Sequence, residues 1–251
     1  MSSKLSELRT LWRLLRGSAS GVADHGARME SFYAAQAEDY DAFRKRLLTG
    51  RERLLERLEL PPGAVVADLG GGTGANLDFL PAGMRAQLGH WHIVDLAGSL
   101  LRIADQRIAE LGASNVTTHR ADATLWRPAD HPVDIVLLSY SLTMMPDWPA
   151  VLEHAESLLR PGGQIAVVDF YVSRKHPPPG MVRHSWWTRH GWTAWFGWDD
   201  VFLSADHLPT LSRRFEPVWR SEDRAPVPWL PWVRVPVYQF IGRKKGSDAP
   251  Q

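Results

Sequence analysis

Apolar and polar positions change rhythm several times along this chain of 251 residues. Short apolar runs recur at 65–69, 88–95, 115–120, 133–139 and 164–171, most of them bounded by glycine, proline or charge. Between them, at 47–60, 99–111 and 150–159, apolar residues fall at three- and four-residue spacing. The first pattern suits strands buried on both faces, and the second suits amphipathic helices. Strands that alternate with helices predict an α/β domain, with a mostly parallel sheet covered on both faces.

The rhythm differs at both ends. Residues 6–16 interleave Leu8, Trp12 and Leu15 with Arg9, Arg13 and Arg16, a short basic amphipathic helix. Such a helix either adsorbs to an anionic membrane surface or packs on its own domain. A glycine-rich linker is expected at 17–26 and a helical pattern with Phe32, Tyr33, Tyr40 and Phe43 after it, and Pro61-Pro62-Gly63 stops the helix at 47–60. After Asp169 the alternation breaks. An insertion at 172–204 holds Pro177-Pro178-Pro179-Gly180 and a run of tryptophans, and a short helix from about Ala205 and strands at 215–220 and 233–243 complete the chain. The expected organisation is an amphipathic segment and linker at 1–28, a helical lid at 29–62, the main domain at 63–243 and a disordered tail at 244–251.

The chemistry concentrates where the first strand ends. Val65-Val66-Ala67-Asp68-Leu69 runs into Gly70-Gly71-Gly72-Thr73-Gly74, followed by Ala75-Asn76 and a helix start. Glycines permit a tight turn and let a ligand approach the backbone. Gly70, Gly72 and Ala75 also fit the dinucleotide pattern, with Asp95 at roughly the expected distance of about 20 residues. Asp68 separates the two readings. A fixed carboxylate repels a pyrophosphate and attracts S-adenosylmethionine, which carries an ammonium and a sulfonium. The pattern Asp68-x-Gly70-x-Gly72-x-Gly74 resembles motif I of class I methyltransferases. That resemblance implies a Rossmann-like sheet of seven strands with an antiparallel last strand, and a lid tyrosine, Tyr33 or Tyr40, near the sulfonium.

Other strand ends supply further groups. Asp95 closes the second strand, where a carboxylate can accept from both ribose hydroxyls, and Leu96 follows it. Asp122, before Ala123, follows the third strand, within reach of an adenine amino group. Ser139-Tyr140-Ser141 follows the fourth strand and faces the methyl group. His90 and His92 share a strand face, but no ligand set completes a metal site around them, so no metal is expected.

Composition narrows the class. A net charge of +1 leaves no global basis for binding nucleic acid. The absence of cysteine fits a cytoplasmic protein without disulfides. No run of 18 apolar residues suggests a spanning helix, and the N-terminal stretch does not read as a secretory signal. Eight of the 12 tryptophans fall between Trp186 and Trp232. Aromatic faces attract quaternary ammonium groups, and tryptophan also suits a membrane interface; packing in a helical hairpin is the third reading.

Several stretches occur together and in order: Phe32-Tyr33-Ala34-Ala35-Gln36-Ala37, Asp39-Tyr40-Asp41, Leu48-x-Gly50-Arg51, the glycine turn, Ser139-Tyr140-Ser141-Leu142-Thr143-Met144, Val168-Asp169-Phe170-Tyr171-Val172 and His184-Ser185-Trp186-Trp187. The set resembles the betaine-lipid N-methyltransferase family from Glu30 to Arg243. The resemblance implies threefold methylation of diacylglyceryl-homoserine at the inner face of the cell membrane. It also implies a functional pairing with the enzyme that makes that lipid. Cofactor contacts then fall to Tyr33, Tyr40, Arg51, Asp68, Gly70, Gly72, Asn76, Asp95, Leu96, Asp122, Ala123 and Ser139. Substrate contacts fall to Tyr140, Tyr171, Arg183, His184, Trp186 and Trp187. Tyr140 and His184 are the candidates to accept the amine's proton, directly or through water. Methylation of another amine, on a phospholipid head group or a small molecule, is the alternative activity. A cofactor-binding subunit without catalysis is the alternative of another class. Oligomeric state is left open.

Overall fold

A computed structural model describes residues 47–129, 132–197, 201–227 and 230–246. The expected helices at 6–16 and 30–40, the linker, Tyr33, Tyr40 and the end of the tail lie outside the described residues. Within them the elements run α1 (Arg51–Glu56), β1 (Val65–Leu69), a 3₁₀ turn (Ala75–Phe79), α2 (Ala82–Gln87), β2 (His90–Asp95), α3 (Gly98–Leu111), β3 (Val116–Arg120) and β4 (Val133–Ser139). A second 3₁₀ turn (Leu142–Met144), α4 (Trp148–Leu158), β5 (Leu159–Phe170), α5 (Trp186–Gly197), α6 (His207–Arg214), β6 (Phe215–Val227) and β7 (Leu230–Lys244) follow.

Seven strands form one sheet in the order β3-β2-β1-β4-β5-β7-β6. The pairs among β1 to β5 are parallel, and β7 runs antiparallel to both β5 and β6. Strand alternation feeds two cores. Val66, Ile93, Ile135 and Leu137 meet Leu54 and Leu55 of α1 and Leu101 and Ala104 of α3 on one face. Ala67, Val94, Val136 and Leu138 meet Val151, Leu152 and Ala155 of α4 and Leu208 and Leu211 of α6 on the other. Each fully buried leucine of this kind contributes about 1.5–3 kcal/mol. The strand order reverses between β1 and β4, and ligands of open α/β sheets bind outside the strands' carboxyl ends at such a reversal.

Element lengths differ from the sequence pattern for local reasons. The helix expected over 47–60 is confined to Arg51–Glu56. Gly50 precedes it at φ 85°, a left-handed conformation that no helix interior accommodates. The helix expected after the glycine turn is a 3₁₀ turn, and Pro81 separates it from α2. The strand expected over 215–220 reaches Val227, with register shifts beside Pro217 and Pro226. β6 is an edge strand, where a residue without an N–H is tolerated.

Candidate active site

The turn after β1 is stitched to β2. The N–H groups of Gly70 and Gly71 donate to the Val94 carbonyl at 2.8 and 3.2 Å. Gly70 sits at φ 71°, and a Cβ added there would lie 2.5 Å from the Ser141 Cβ. Only glycine therefore serves at the point where the β1 and β4 loops touch. Gly72 donates to Asp95 Oδ2 at 3.0 Å and Ala97 to Asp95 Oδ1 at 2.9 Å. Asp95 thus braces the turn against the start of α3. Asp122 Oδ1 accepts from the N–H and hydroxyl of Thr124, at 2.8 and 2.7 Å, fixing the loop after β3.

These loops frame a cavity of about 280 Å³. Gly70, Gly72, Asp95, Leu96, Asp122, Ala123 and Tyr140 line it, each singled out from sequence. Ser141, Met144, Met145 and Val151 complete its wall. None of these four was assigned a cofactor or substrate contact from sequence. The signal for Ser141 was its place beside Ser139-Tyr140, whereas the methionines and Val151 look like ordinary core.

Asp68 lies behind the turn, fully buried. Its Oδ2 accepts from Asn76 Nδ2 at 2.9 Å, and its Oδ1 has no hydrogen-bond partner among the described residues. Burial pushes its carboxyl up to about 7, against the opposing pull of Asn76, the Trp91 indole and Arg51. Arg51 is buried too, with its Nε donating to the Leu48 carbonyl and its guanidinium 5.3 Å from the Phe79 ring centre. A buried carboxylate oxygen lacking a donor, beside a glycine turn, suits a ligand that brings an ammonium. Carboxylates after β2 and β3 suit hydroxyls and an amine. The donor set fits S-adenosylmethionine: Asp95 and Asp122, at the cavity wall, would take its ribose and adenine, and Asp68, Asn76 and Arg51, outside that wall, would lie toward its amino-acid end.

Tyr140 has φ 55°, the one non-glycine residue with positive φ among those described. A bulky residue there is strained and is held by its surroundings. Its hydroxyl donates to the Thr49 carbonyl at 2.5 Å, and its ring lies 4.8 Å from that of Phe170. Burial, with Asp169 nearby, drives its phenol well above the ordinary range. A phenol that keeps its proton and donates it to a carbonyl does not accept another from an amine. The geometry makes Tyr140 the anchor of the 47–50 turn.

His184 is 3% exposed and stands outside the cavity wall. Its Nδ1 accepts from the Ser173 N–H at 3.0 Å, while the His184 backbone N–H donates to Ser173 Oγ at 2.8 Å. Burial lowers its pKa, so the ring is neutral with Nδ1 already engaged. Tyr171 packs edge-on to it at 4.9 Å and donates to Glu222 Oε2 at 2.7 Å, which also accepts from the Val182 N–H. Tyr171, His184, Ser173 and Glu222 thus clasp the base of the insertion. Arg183, Trp186 and Trp187 are exposed beyond it and do not join the cavity. Ser139 is buried beside Tyr140, its Oγ without a partner among the described residues.

Asp169 carries weight that went unassigned. It is fully buried and accepts from the Thr143 N–H and hydroxyl and from the Phe170 N–H, at 3.1, 2.7 and 2.8 Å. Burial pushes it up to about 7. It fixes the 3₁₀ turn that floors the cavity. An acid inside the apolar run Val167-Val168-Asp169-Phe170 was the visible signal. On the far side of the sheet edge, His92 Nδ1 lies 3.0 Å from His119 Nε2 and the His90 and His92 rings are 4.3 Å apart. Among the described residues no group of three or more His, Cys, Asp or Glu side chains is placed to hold a metal ion.

Residues 66–163 match the family model described as a methyltransferase domain. The chain is 33% identical over 150 residues to the 2-phytyl-1,4-naphtoquinone methyltransferase of Synechococcus elongatus, covering 57% of this chain and 64% of that one. It is 25% identical over 155 residues to the ubiquinone/menaquinone biosynthesis C-methyltransferase UbiE of Cellvibrio japonicus, covering 59% and 62%. The match thus spans less than two thirds of the length of these relatives. Among solved structures it is similar to the 1,6-didemethyltoxoflavin-N1-methyltransferase of Burkholderia thailandensis, with S-adenosylhomocysteine bound. That likeness has a TM-score of 0.60 and 20% identity over 92% of this chain and 94% of that one. Residues 66–163 thus match a methyltransferase domain, on a sheet with the fold of solved methyltransferases.

Proposed function

We propose that the protein methylates the amine of diacylglyceryl-homoserine, in successive rounds, to give diacylglyceryl-trimethylhomoserine. The observation that carries this reading is a convergence. The two stretches most specific to the betaine-lipid resemblance, 139–144 and 184–187, both pack on a third that it shares, 168–172. Tyr140 of the first packs on Phe170 of the third at 4.8 Å, and His184 of the second packs on Tyr171 of the third at 4.9 Å. The enzyme that supplies diacylglyceryl-homoserine is then its functional partner, and the inner face of the cell membrane its place of work.

S-adenosylmethionine supplies an electrophilic methyl group on a sulfonium. The protein's residues position and desolvate. Tyr140, tied to Thr49, holds the loops that flank the cavity, and Asp169 holds the turn at its floor. Alignment and exclusion of water account for much of the rate in such displacements. The amine attacks as the neutral base, so its proton leaves before or during transfer. Ser141 Oγ, buried at the cavity wall without a partner among the described residues, offers an acceptor that orients the amine or a water leading its proton to solvent.

A second reading follows from the curated relatives, which are quinone methyltransferases: transfer to a carbon of a prenylated quinone precursor. Both acceptors are lipids, and one assay separates them. The full chain is incubated with methyl-labelled cofactor and dispersed diacylglyceryl-homoserine, phosphatidylethanolamine or a demethylated menaquinone precursor. Label in the homoserine lipid, passing through mono- and dimethyl stages, supports the proposal. Label confined to the quinone, to phosphatidylethanolamine or to a soluble amine rejects it.

A further inference from the structure

The helix α5 breaks the rule that surface helices bury an apolar stripe. Of its 12 residues only Phe196 is buried. Trp187 is 78% exposed, Trp186 55% and Trp195 39%. Tryptophan has a high cost when left in water and is enriched where one end of a surface is apolar and the other wet. Phe202, 53% exposed, extends the same apolar character past the helix, and its N–H donates to the Thr143 carbonyl at 2.8 Å. This face therefore borders the turn that floors the cavity.

Charge says what the face meets. Residues 172–204 contain Arg174, Lys175, Arg183 and Arg189 against Asp199 and Asp200, a net charge of +2. Arg174 is paired with Asp206, whereas Lys175 and Arg183 stand exposed. Aromatic rings at the surface, interspersed with an excess of cations over acids, match the interfacial zone of an anionic bilayer. Aromatic contacts also link this face to the site. Ring centres step from Tyr140 to Phe170 at 4.8 Å, to Phe196 at 5.0 Å, to Trp192 at 5.8 Å and to Trp195 at 5.9 Å. This continuous packing fixes the position of α5 relative to the cavity.

We infer that the exposed tryptophan face of α5, with Lys175 and Arg183, docks the protein on an anionic lipid bilayer beside the mouth of its active site. The inference rests on the lipid-amine reading for its purpose, but its test does not use the substrate. The full chain is floated with vesicles of phosphatidylcholine, with or without phosphatidylglycerol, and tryptophan emission is followed with brominated acyl chains as quenchers. The wild type should float with the anionic vesicles, lose binding as salt rises, and show quenching. Trp186→Ser with Trp187→Ser should weaken partitioning on the order of tenfold or more and remove most of the quenching. Lys175→Gln with Arg183→Gln should weaken binding to anionic vesicles on the order of tenfold and leave the residual binding less sensitive to salt. A preserved thermal shift with S-adenosylhomocysteine shows that each variant is folded.

Absence of vesicle binding by the wild type overturns the inference, as does binding by the folded tryptophan variant equal to the wild type. Loss of binding on Trp12→Ser alone, with the α5 variants unaffected, assigns docking to the N-terminal segment and overturns it. A dimer in sedimentation that the tryptophan variants abolish, without vesicle binding, makes the face a contact between copies and overturns it. If the wild type docks through α5 but leaves diacylglyceryl-homoserine unmethylated, docking stands and the substrate reading falls.

Discussion

The substitution Asp68→Asn separates what the buried carboxylate costs from what it does. Asparagine keeps the volume and an oxygen to accept from Asn76, so the perturbation is mainly the charge. In the folded protein burial raises the Asp68 carboxyl from 3.8 to about 7. The folded state therefore binds more protons than the unfolded state between those values, and stability falls as pH rises through the window. At 1.36 kcal/mol per pH unit, the ionised group costs the unliganded protein about 4 kcal/mol above pH 7. Asp68→Asn should therefore raise the melting temperature of the ligand-free protein at pH 8. The gain should shrink on acidification and vanish near pH 4. The cofactor should respond in the opposite sense. If the ionised carboxylate receives its ammonium, affinity in the wild type falls toward tenfold per pH unit below 7, roughly 50-fold between pH 7 and 5. That range lies below the ordinary α-amino pKa of about 7.7–8.0, so the ligand's ammonium stays charged. Calorimetric titration with S-adenosylhomocysteine and thermal unfolding, on both proteins from pH 5 to 8, provide the check. In the variant, affinity should be weak and flat with pH. A flat wild-type affinity, or a variant that binds as tightly as wild type at pH 8, refutes the pairing of Asp68 with a ligand cation.

Three further outcomes follow from the same geometry. Tyr140→Phe removes the bond to the Thr49 carbonyl and should cost about 1 kcal/mol of stability, with cofactor affinity lowered about fivefold. The pH profile of kcat/KM should keep its shape, because an anchor rather than a proton acceptor has been removed. Thr143→Val takes the hydroxyl from Asp169 and should destabilise by about 1–3 kcal/mol in chemical denaturation, with turnover falling further as the cavity floor shifts. His207 is fully buried, and burial lowers its pKa from 6.5 to about 4. The unfolded state then binds more protons between these values, so this residue's neutral form loses stability as pH falls from 6.5. His207→Gln should accordingly be less damaging at pH 5 than at pH 8, by about 2 kcal/mol in paired unfolding curves.

Much of the cavity wall was legible from residue order. Strand ends announce themselves where an apolar run stops, and an acid at that point can only stand at the carboxyl edge of the sheet. Asp95 and Asp122 were located on that logic, and both line the cavity. The clasp at the base of the insertion was less legible, because its contacts join elements distant in sequence. Nothing in the spacing of His184 reveals that Ser173 occupies its Nδ1, or that Glu222 on an edge strand receives the Tyr171 hydroxyl. Period alone also misplaced the helix at 47–60. Its leucines do face the core, but the left-handed Gly50 and the Tyr140 bond to Thr49 determine where helical geometry begins. The tryptophans of α5 show a further limit, since composition identifies an unusual segment without saying which rings turn outward.

The contact between Gly70 and Ser141 limits how this scaffold can diversify. The donor-side and acceptor-side loops meet with no space for even one methyl group between them. A bulkier residue at either position would push directly on the other, so new acceptors are hard to accommodate by remodelling that corner. The 172–204 segment, clasped at its base and open to solvent along α5, has no such restriction. Exchanging that segment between related proteins should alter the outer surface while leaving the cavity wall untouched.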